Sequence, residues 1–212
     1  RSMANQRAFD QLGRKKLNEM EVEIFPETAG LILKEKYSTS EFELGGQIIR
    51  EIPEDVMSGK VEWVSLSSVM SFENNQKPMI LSMITKSKMS NYDFLKKYFV
   101  DSYMEMFEKF SFKNGFNFEP HSQNLSIELK EGIPTGKWVH RDFGGMWPDI
   151  IKIIETNGPV SAYAKEMNAD NFYFFGGRLN YATSYAYFYK RQIFEKVLNE
   201  VTKNDPSFTE DL

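Results

Sequence analysis

Residues 119–145 read EPHSQNLSIELKEGIPTGKWVHRDFGG, and the fold turns on whether this stretch doubles back on itself. Leu125, Ile127 and Leu129 alternate with Ser126, Glu128 and Lys130, the period of a half-buried strand over 124–130. KEGIPTG supplies turn chemistry. Lys137–Phe143 then reads as the returning strand of a hairpin, with Trp138, His140 and Asp142 on one face. Pro120 disfavours helix at Glu119 and points to an extended or turned segment; if extended, Glu119, His121 and Gln123 share a side. Asp142 follows Asn124 by eighteen positions, so the fold-back brings it near the 119–124 segment. The two acids and Asn124 then supply hard oxygen ligands of the kind that suit Mg²⁺ and its bound phosphates. His121 could donate to a phosphate or carboxylate oxygen, and Gly144-Gly145 would let backbone come close.

Upstream of the hairpin, residues 3–20 read as a short polar helix. EVEIF, GGQIIREI and KVEWVSL read as strands punctuated by Pro26, Gly45, Pro53 and Gly59. PMILSMIT, residues 78–85, is an apolar run of buried-strand length. The period then changes. Leu95, Phe99, Tyr103, Met106 and Phe110 recur every three or four residues, one face of an amphipathic helix. Ser90 with Asp93 reads as its capping box and Asn114-Gly115 as its stop. Tyr187, Phe194, Val197, Leu198 and Val201 mark a second long helix after Pro159. Aromatics in NFYFFGG, residues 171–177, read as core packing. The order of strands, helix, hairpin and helices predicts an α+β fold with an antiparallel sheet packed against helices. It reads as one domain over 1–212, with a strand-rich part at 3–89 and the helix, hairpin and C-terminal helices at 90–212.

Composition narrows the function classes. The 212 residues are 41% hydrophobic and 15% aromatic, a globular composition. A net charge of −4 argues against nucleic acid as the main partner. With no cysteine, disulfides, thiolate metal sites and Cys nucleophiles are excluded, and a cytoplasmic setting fits. No apolar run approaches the ~20 residues of a membrane span. Arg1-Ser2 precede Met3 and have the look of a cloning remnant, and NDPSFTEDL reads as a frayed end.

HRDFGG contains both His-Arg-Asp and Asp-Phe-Gly, signatures of protein kinases, sharing Asp142. In kinases these lie about twenty residues apart with an Asn between, and a Gly-rich loop precedes them. Neither condition holds here. A looser likeness to small-molecule kinases survives: an acid five residues before a metal-binding Asn, then a hairpin, then a metal-binding Asp, matched by Glu119, Asn124 and Asp142.

The chain resembles a different family more closely. FEPHSQNLSIEL followed by HRDFGGM is similar to the C-terminal palm region of the NRPS-independent siderophore synthetases of the aerobactin-synthetase (IucA/IucC) type. That region carries an E-x-H-x-Q-N segment, a strand and then R-D-F-G-G. Lys77 and Thr85 keep a Lys and a Thr of that family at eight-residue spacing. Two arginines of the family pattern fall instead at Ser67, if Ser65 matches its serine, and at Met89. Those synthetases are roughly three times longer, so the chain is either a fragment of a longer protein or a reduced relative.

The resemblance implies an ATP- and Mg²⁺-dependent ligase of siderophore biosynthesis and iron acquisition. A citrate-like carboxylate is adenylated and an amine then forms the amide. It implies Glu119 and Asp142 as metal ligands and His121 and Lys77 as catalytic residues. Thr85, Gln123, Asn124 and Arg141 become cofactor-binding candidates, Arg141 with the alternative of bracing the fold. The expected partners are those small molecules, a second copy of the chain or the remainder of a longer one, and neither nucleic acid nor membrane. An ATP-dependent phosphotransferase and a non-catalytic binding or assembly domain stand as alternatives.

Overall fold

The computed structural model describes residues 17–25, 27–34, 43–71, 77–142, 149, 152, 155–156, 181–205 and 208, with backbone only at 27–28, 30–34 and 43–46. Most of the 3–20 helix, Phe143 to Gly145 and residues 171–177 lie outside the described residues.

Four strands form the main sheet: β1 (Val22–Ile24), β4 (Glu62–Ser65), β5 (Leu125–Lys130) and β6 (Ile133–His140), in the spatial order β1-β6-β5-β4. The β4–β5 and β5–β6 pairs are antiparallel, whereas β1 lies parallel to β6. Alternation along β5 holds: Leu125, Ile127 and Leu129 are buried, and Lys130 is exposed. Among the described residues two further strands, β2 (Glu27–Lys34) and β3 (Glu43–Arg50), pair with each other alone as an antiparallel ribbon. A short helix α1 (Glu54–Met57) and a second, α2 (Leu66–Val69), flank β4.

The β5–β6 turn is tighter than KEGIPTG suggested. Only Glu131 and Gly132 separate the strands, with φ of 56° and 77°, the left-handed pair of a two-residue hairpin turn. The rest of that segment lies inside β6. Ile127 pairs with Trp138 and Leu129 with Pro134, so two steps along β5 match four along β6. This bulge contains Gly136, whose φ of 95° an L side chain rarely adopts.

PMILSMIT is a helix and not a strand: α3 spans Met79–Ser87, with Pro78 at its N-cap. Ile80, Met83 and Ile84 are its buried positions, spaced at i, i+3 and i+4. Proline ahead of the first turn costs nothing there because that N–H has no intrahelical partner. The predicted long helix is present as α4, with segments Asn91–Leu95, Lys96–Asp101, Ser102–Phe107 and Glu108–Phe112 alternating between α- and wider π-type turns. Ser90 caps it: its hydroxyl accepts from Asp93 N–H at 3.0 Å and donates to the Asp93 carboxylate at 2.7 Å. All five predicted core positions of α4 are buried. The last helix, α5, runs through Thr183–Phe194 and Glu195–Asn204. Its buried face carries Phe188, Tyr189, Ile193, Val197 and Val201, while Tyr187, predicted on that face, is 50% exposed. Seven positions separate Tyr187 from Phe194, but the π-type turns of this segment shift the stripe by one residue to Phe188.

Trp138 joins sheet and helices. It meets Phe99, Tyr103 and Tyr189 edge-on at ring separations of 6.1, 5.2 and 5.8 Å, and its indole N–H donates to the Ser102 hydroxyl at 3.2 Å. Burying that one side chain is worth about 5 kcal/mol of transfer free energy. The Tyr189 hydroxyl donates to the Phe99 carbonyl, tying α5 to α4. No helix among the described residues is long and apolar enough to cross a membrane.

Candidate functional site

The approach to Glu119 is laid down by α4. Gly115, with φ of 82°, ends the helix, and the Ser111 hydroxyl donates to the Phe116 carbonyl at 2.8 Å. Phe116 and Phe118 fold back onto Phe110, each at 5.4 Å. Pro120 is buried beyond them.

Residues 119–124 form a compact turn, not an extended segment. The Glu119 carbonyl accepts from His121 N–H at 2.9 Å, and the His121 carbonyl accepts from Asn124 N–H at 2.9 Å and Leu125 N–H at 3.1 Å. Glu119 and His121 are half-buried, Gln123 is exposed and Asn124 is buried. His121 Nδ1 accepts from Gln123 N–H at 3.3 Å. That contact leaves the proton of the neutral imidazole on Nε2, a donor able to serve an anionic oxygen.

Asn124 closes the site. Its carbonyl accepts from Arg141 N–H at 3.1 Å, and its amide donates to the Asp142 carboxylate at 3.2 Å. The fold-back thus brings Asp142 to Asn124. Asp142 lies beyond the end of β6 in the left-handed region, φ 69°, so strand alternation does not set its direction. Arg141 is exposed, and likewise past the strand. The β6 bulge fixes this alignment: with an unbroken register from the turn, Asn124 would face Val139 and not Arg141.

Lys77 and Thr85 sit on another element. Lys77 is exposed just ahead of α3, and the Thr85 hydroxyl donates to the Leu81 carbonyl at 2.9 Å within α3. A helix sets residues eight apart about 12 Å along its axis, where a strand would set them about 27 Å apart. The next residue, Lys86, crosses over Gly132, at the turn end of the hairpin and away from Asp142. Among the described residues no hydrogen bond or ion pair joins Lys77 or Thr85 to the 119–142 group.

Two groups outside the predicted set adjoin the site. The Ser65 hydroxyl lies 2.8 Å from that of Ser67 and 2.9 Å from that of Ser68, and the Ser67 N–H donates to the Ser122 carbonyl at 3.0 Å. The resemblance sets Ser65 at the family's serine and Ser67 at its arginine without predicting this contact. The second group is Ser184, Tyr181 and Asp149, which contact residues 115–118; nothing in their local sequence signals it.

His140 lies beneath the site. It is 3% exposed, stacked on Phe118 at 4.4 Å, and neither ring nitrogen has a hydrogen-bond partner among the described residues. Burial away from water pushes its pKa down to about 3. Burial, and then the adjacent Asp149 carboxylate, push the Tyr181 hydroxyl well above its ordinary value.

No group of three or more His, Cys, Asp or Glu suited to a metal occurs among the described residues. What the turn and strand end offer is two carboxylates and an amide: Glu119, Asp142 and Asn124. Their donor types suit Mg²⁺, which takes one or two carboxylates and completes its octahedron with water and phosphate oxygens. Asn124 and Asp142 are in contact, and among the described residues no hydrogen bond or ion pair ties the Glu119 side chain to either.

No family model matches the chain, and no curated protein does. Solved structures do. Aerobactin synthetase IucC from a hypervirulent pathotype of Klebsiella pneumoniae matches with a TM-score of 0.63 and 18% identity, over 95% of this chain and 40% of that one. The petrobactin biosynthesis protein AsbB from Bacillus anthracis str. Sterne matches at 0.59 and 15%, over 97% and 38%. ATP-bound aerobactin synthetase IucA from the same Klebsiella pathotype matches at 0.65 and 12%, over 95% and 36%. The chain therefore has a fold found within siderophore synthetases and spans well under half their length.

Proposed function

From a fold shared with siderophore synthetases, we propose that the chain is a Mg²⁺- and ATP-dependent carboxylate–amine ligase of that type, or its nucleotide-binding portion. The observation that carries this reading is the closure of the hairpin by Asn124 on Asp142, beside the turn that presents Glu119. The ATP-bound state of the similar IucA supports a nucleotide at this fold.

In this reading a carboxylate oxygen of a citrate-like acid attacks the α-phosphorus of ATP, and pyrophosphate leaves. An amine then attacks the acyl carbon, AMP leaves, and the nitrogen gives up a proton as the amide forms. Glu119 and Asp142 would hold Mg²⁺, which when bound would neutralise phosphate charge. Asn124 orients Asp142 through its amide. His121 Nε2–H, Gln123 and Lys77 meet phosphate or carboxylate oxygens where negative charge builds up. Arg141, exposed past the end of β6, completes the nucleotide contacts.

Two positions bear on the catalytic step. Ser67 and Met89 stand where the family pattern has arginines. A missing charged donor commonly costs several kcal/mol at the transition state; Lys88 would act only as a point charge, and Lys86 lies over Gly132 at the far end of the hairpin. Nucleotide binding does not depend on that transition-state charge. Asp142→Ala is expected to abolish Mg²⁺-dependent ATP binding by calorimetry in a chain still folded, at a stability cost of about 1–2 kcal/mol for the lost partner of the Asn124 amide. Unchanged binding removes the metal assignment. Pyrophosphate release with citrate-like acids supports the ligase. The acid–Asn–Asp arrangement equally suits a phosphotransferase, which ADP formation with a phosphorylated product would favour. An intact fold that binds no ATP supports a non-catalytic relative.

A further inference from the structure

Both peptide planes that flank Glu119 are held by hydrogen bonds. On its C-terminal side, the Glu119 carbonyl accepts from His121 N–H at 2.9 Å. On its N-terminal side, the Phe118 carbonyl accepts from the Ser184 hydroxyl at 2.8 Å. That carbonyl shares a rigid plane with the Glu119 nitrogen and Cα, so the two bonds restrain the backbone on either side of Glu119. Ser184 is 2% exposed and lies in the first turn of α5, away from the motif in sequence.

A second contact acts three residues earlier. Asp149 N–H donates to the Gly115 carbonyl at 2.7 Å. The Asp149 carboxylate accepts from the Tyr181 hydroxyl at 3.1 Å and from Lys152 N–H at 3.0 Å. The start of α5 and Asp149 therefore clasp residues 115–118 at both ends.

Resting on the ligase reading, we infer that Ser184 and Tyr181 are positioning residues, which set Glu119 in place through the backbone of residues 115–118. They touch neither nucleotide nor metal. Their effect is on how much Mg²⁺ the site needs. A Glu119 free to rotate binds the ion more weakly, because the ordering that the clasp now provides must be supplied on binding.

The test is calorimetric titration of ATP at a series of Mg²⁺ concentrations on the full chain, with thermal unfolding alongside. Ser184→Ala is expected to raise the Mg²⁺ concentration for half-maximal ATP binding about tenfold, the size of one lost hydrogen bond. Saturating Mg²⁺ should restore ATP affinity. Ser184→Thr keeps the hydroxyl and is expected to restore the midpoint. Tyr181→Phe removes one oxygen at a half-buried position, so it tests the clasp even if Ser184→Ala fails to fold; its midpoint should rise about threefold. A lowered unfolding temperature with an unmoved Mg²⁺ midpoint means that the clasp is purely structural and overturns the inference. If the unaltered chain shows no Mg²⁺-dependent ATP binding, the ligase reading falls and the inference with it.

Discussion

His140 allows a quantitative test of how the hairpin is buried. Its folded pKa lies near 3 because the ring is sealed between aromatic side chains, whereas in the unfolded chain it returns to about 6.5. The unfolded state therefore takes up a proton first as the pH falls. Stability is complete above about pH 6.5 and declines towards pH 3. At pH 5 the unfolded imidazole is almost fully protonated and the folded one almost fully neutral. The difference, about 1.5 pH units at about 1.4 kcal/mol each, is about 2 kcal/mol lost between pH 8 and pH 5. Carboxylates add their own slopes, but they do so equally in wild type and in His140→Phe. Urea unfolding followed by tryptophan fluorescence at both pH values isolates the histidine, with the buried Trp138 as reporter. Wild type should lose about 2 kcal/mol more than His140→Phe over that interval. Parallel pH profiles would refute the reasoning, whatever the absolute stability of the variant, and would mean that water or a polar partner reaches the ring.

Three further outcomes follow from the fold. Ser90→Ala removes the N-cap of α4 and is expected to lower unfolding free energy by about 1 kcal/mol in urea titration. Trp138→Ala empties the junction of β6, α4 and α5 and should cost about 4 kcal/mol, measured the same way. Gly132→Ala places a Cβ 2.5 Å from Lys86 Nζ, yet that ammonium can swing aside; the φ of 77° is the obstacle. A loss of about 1 kcal/mol is expected, and adding Lys86→Ala should not recover it, whereas Gly132→Asn should be tolerated better.

The hairpin and α4 were legible in the sequence because each carries an undisturbed period bounded by turn or capping residues. Leu125, Ile127 and Leu129 alternate without exception, and Ser90 with Asp93 announces a helix start. PMILSMIT was not legible in the same way. Eight consecutive residues with only Ser82 and Thr85 polar satisfy both periods, and only the spacing of Ile80, Met83 and Ile84 beneath the sheet decides for helix. The site was half readable. The fold-back alone brings Asp142 to the 119–124 end of the hairpin, but its meeting with Asn124 depends on the β6 bulge and its direction on a left-handed φ, neither of which a motif announces. Ser184 and Tyr181 meet the 115–118 segment only through tertiary packing, so their local sequence contains no sign of it.

The bulge in β6 bears on how such a chain can vary in length. Asn124 and Asp142 are separated by a two-residue turn, two strands and two extra residues around Gly136. Inserting or deleting a single residue in either strand would rotate everything beyond it to the opposite side of the sheet. A single-residue change should therefore be tolerated only where a bulge, such as the one at Gly136, can absorb it.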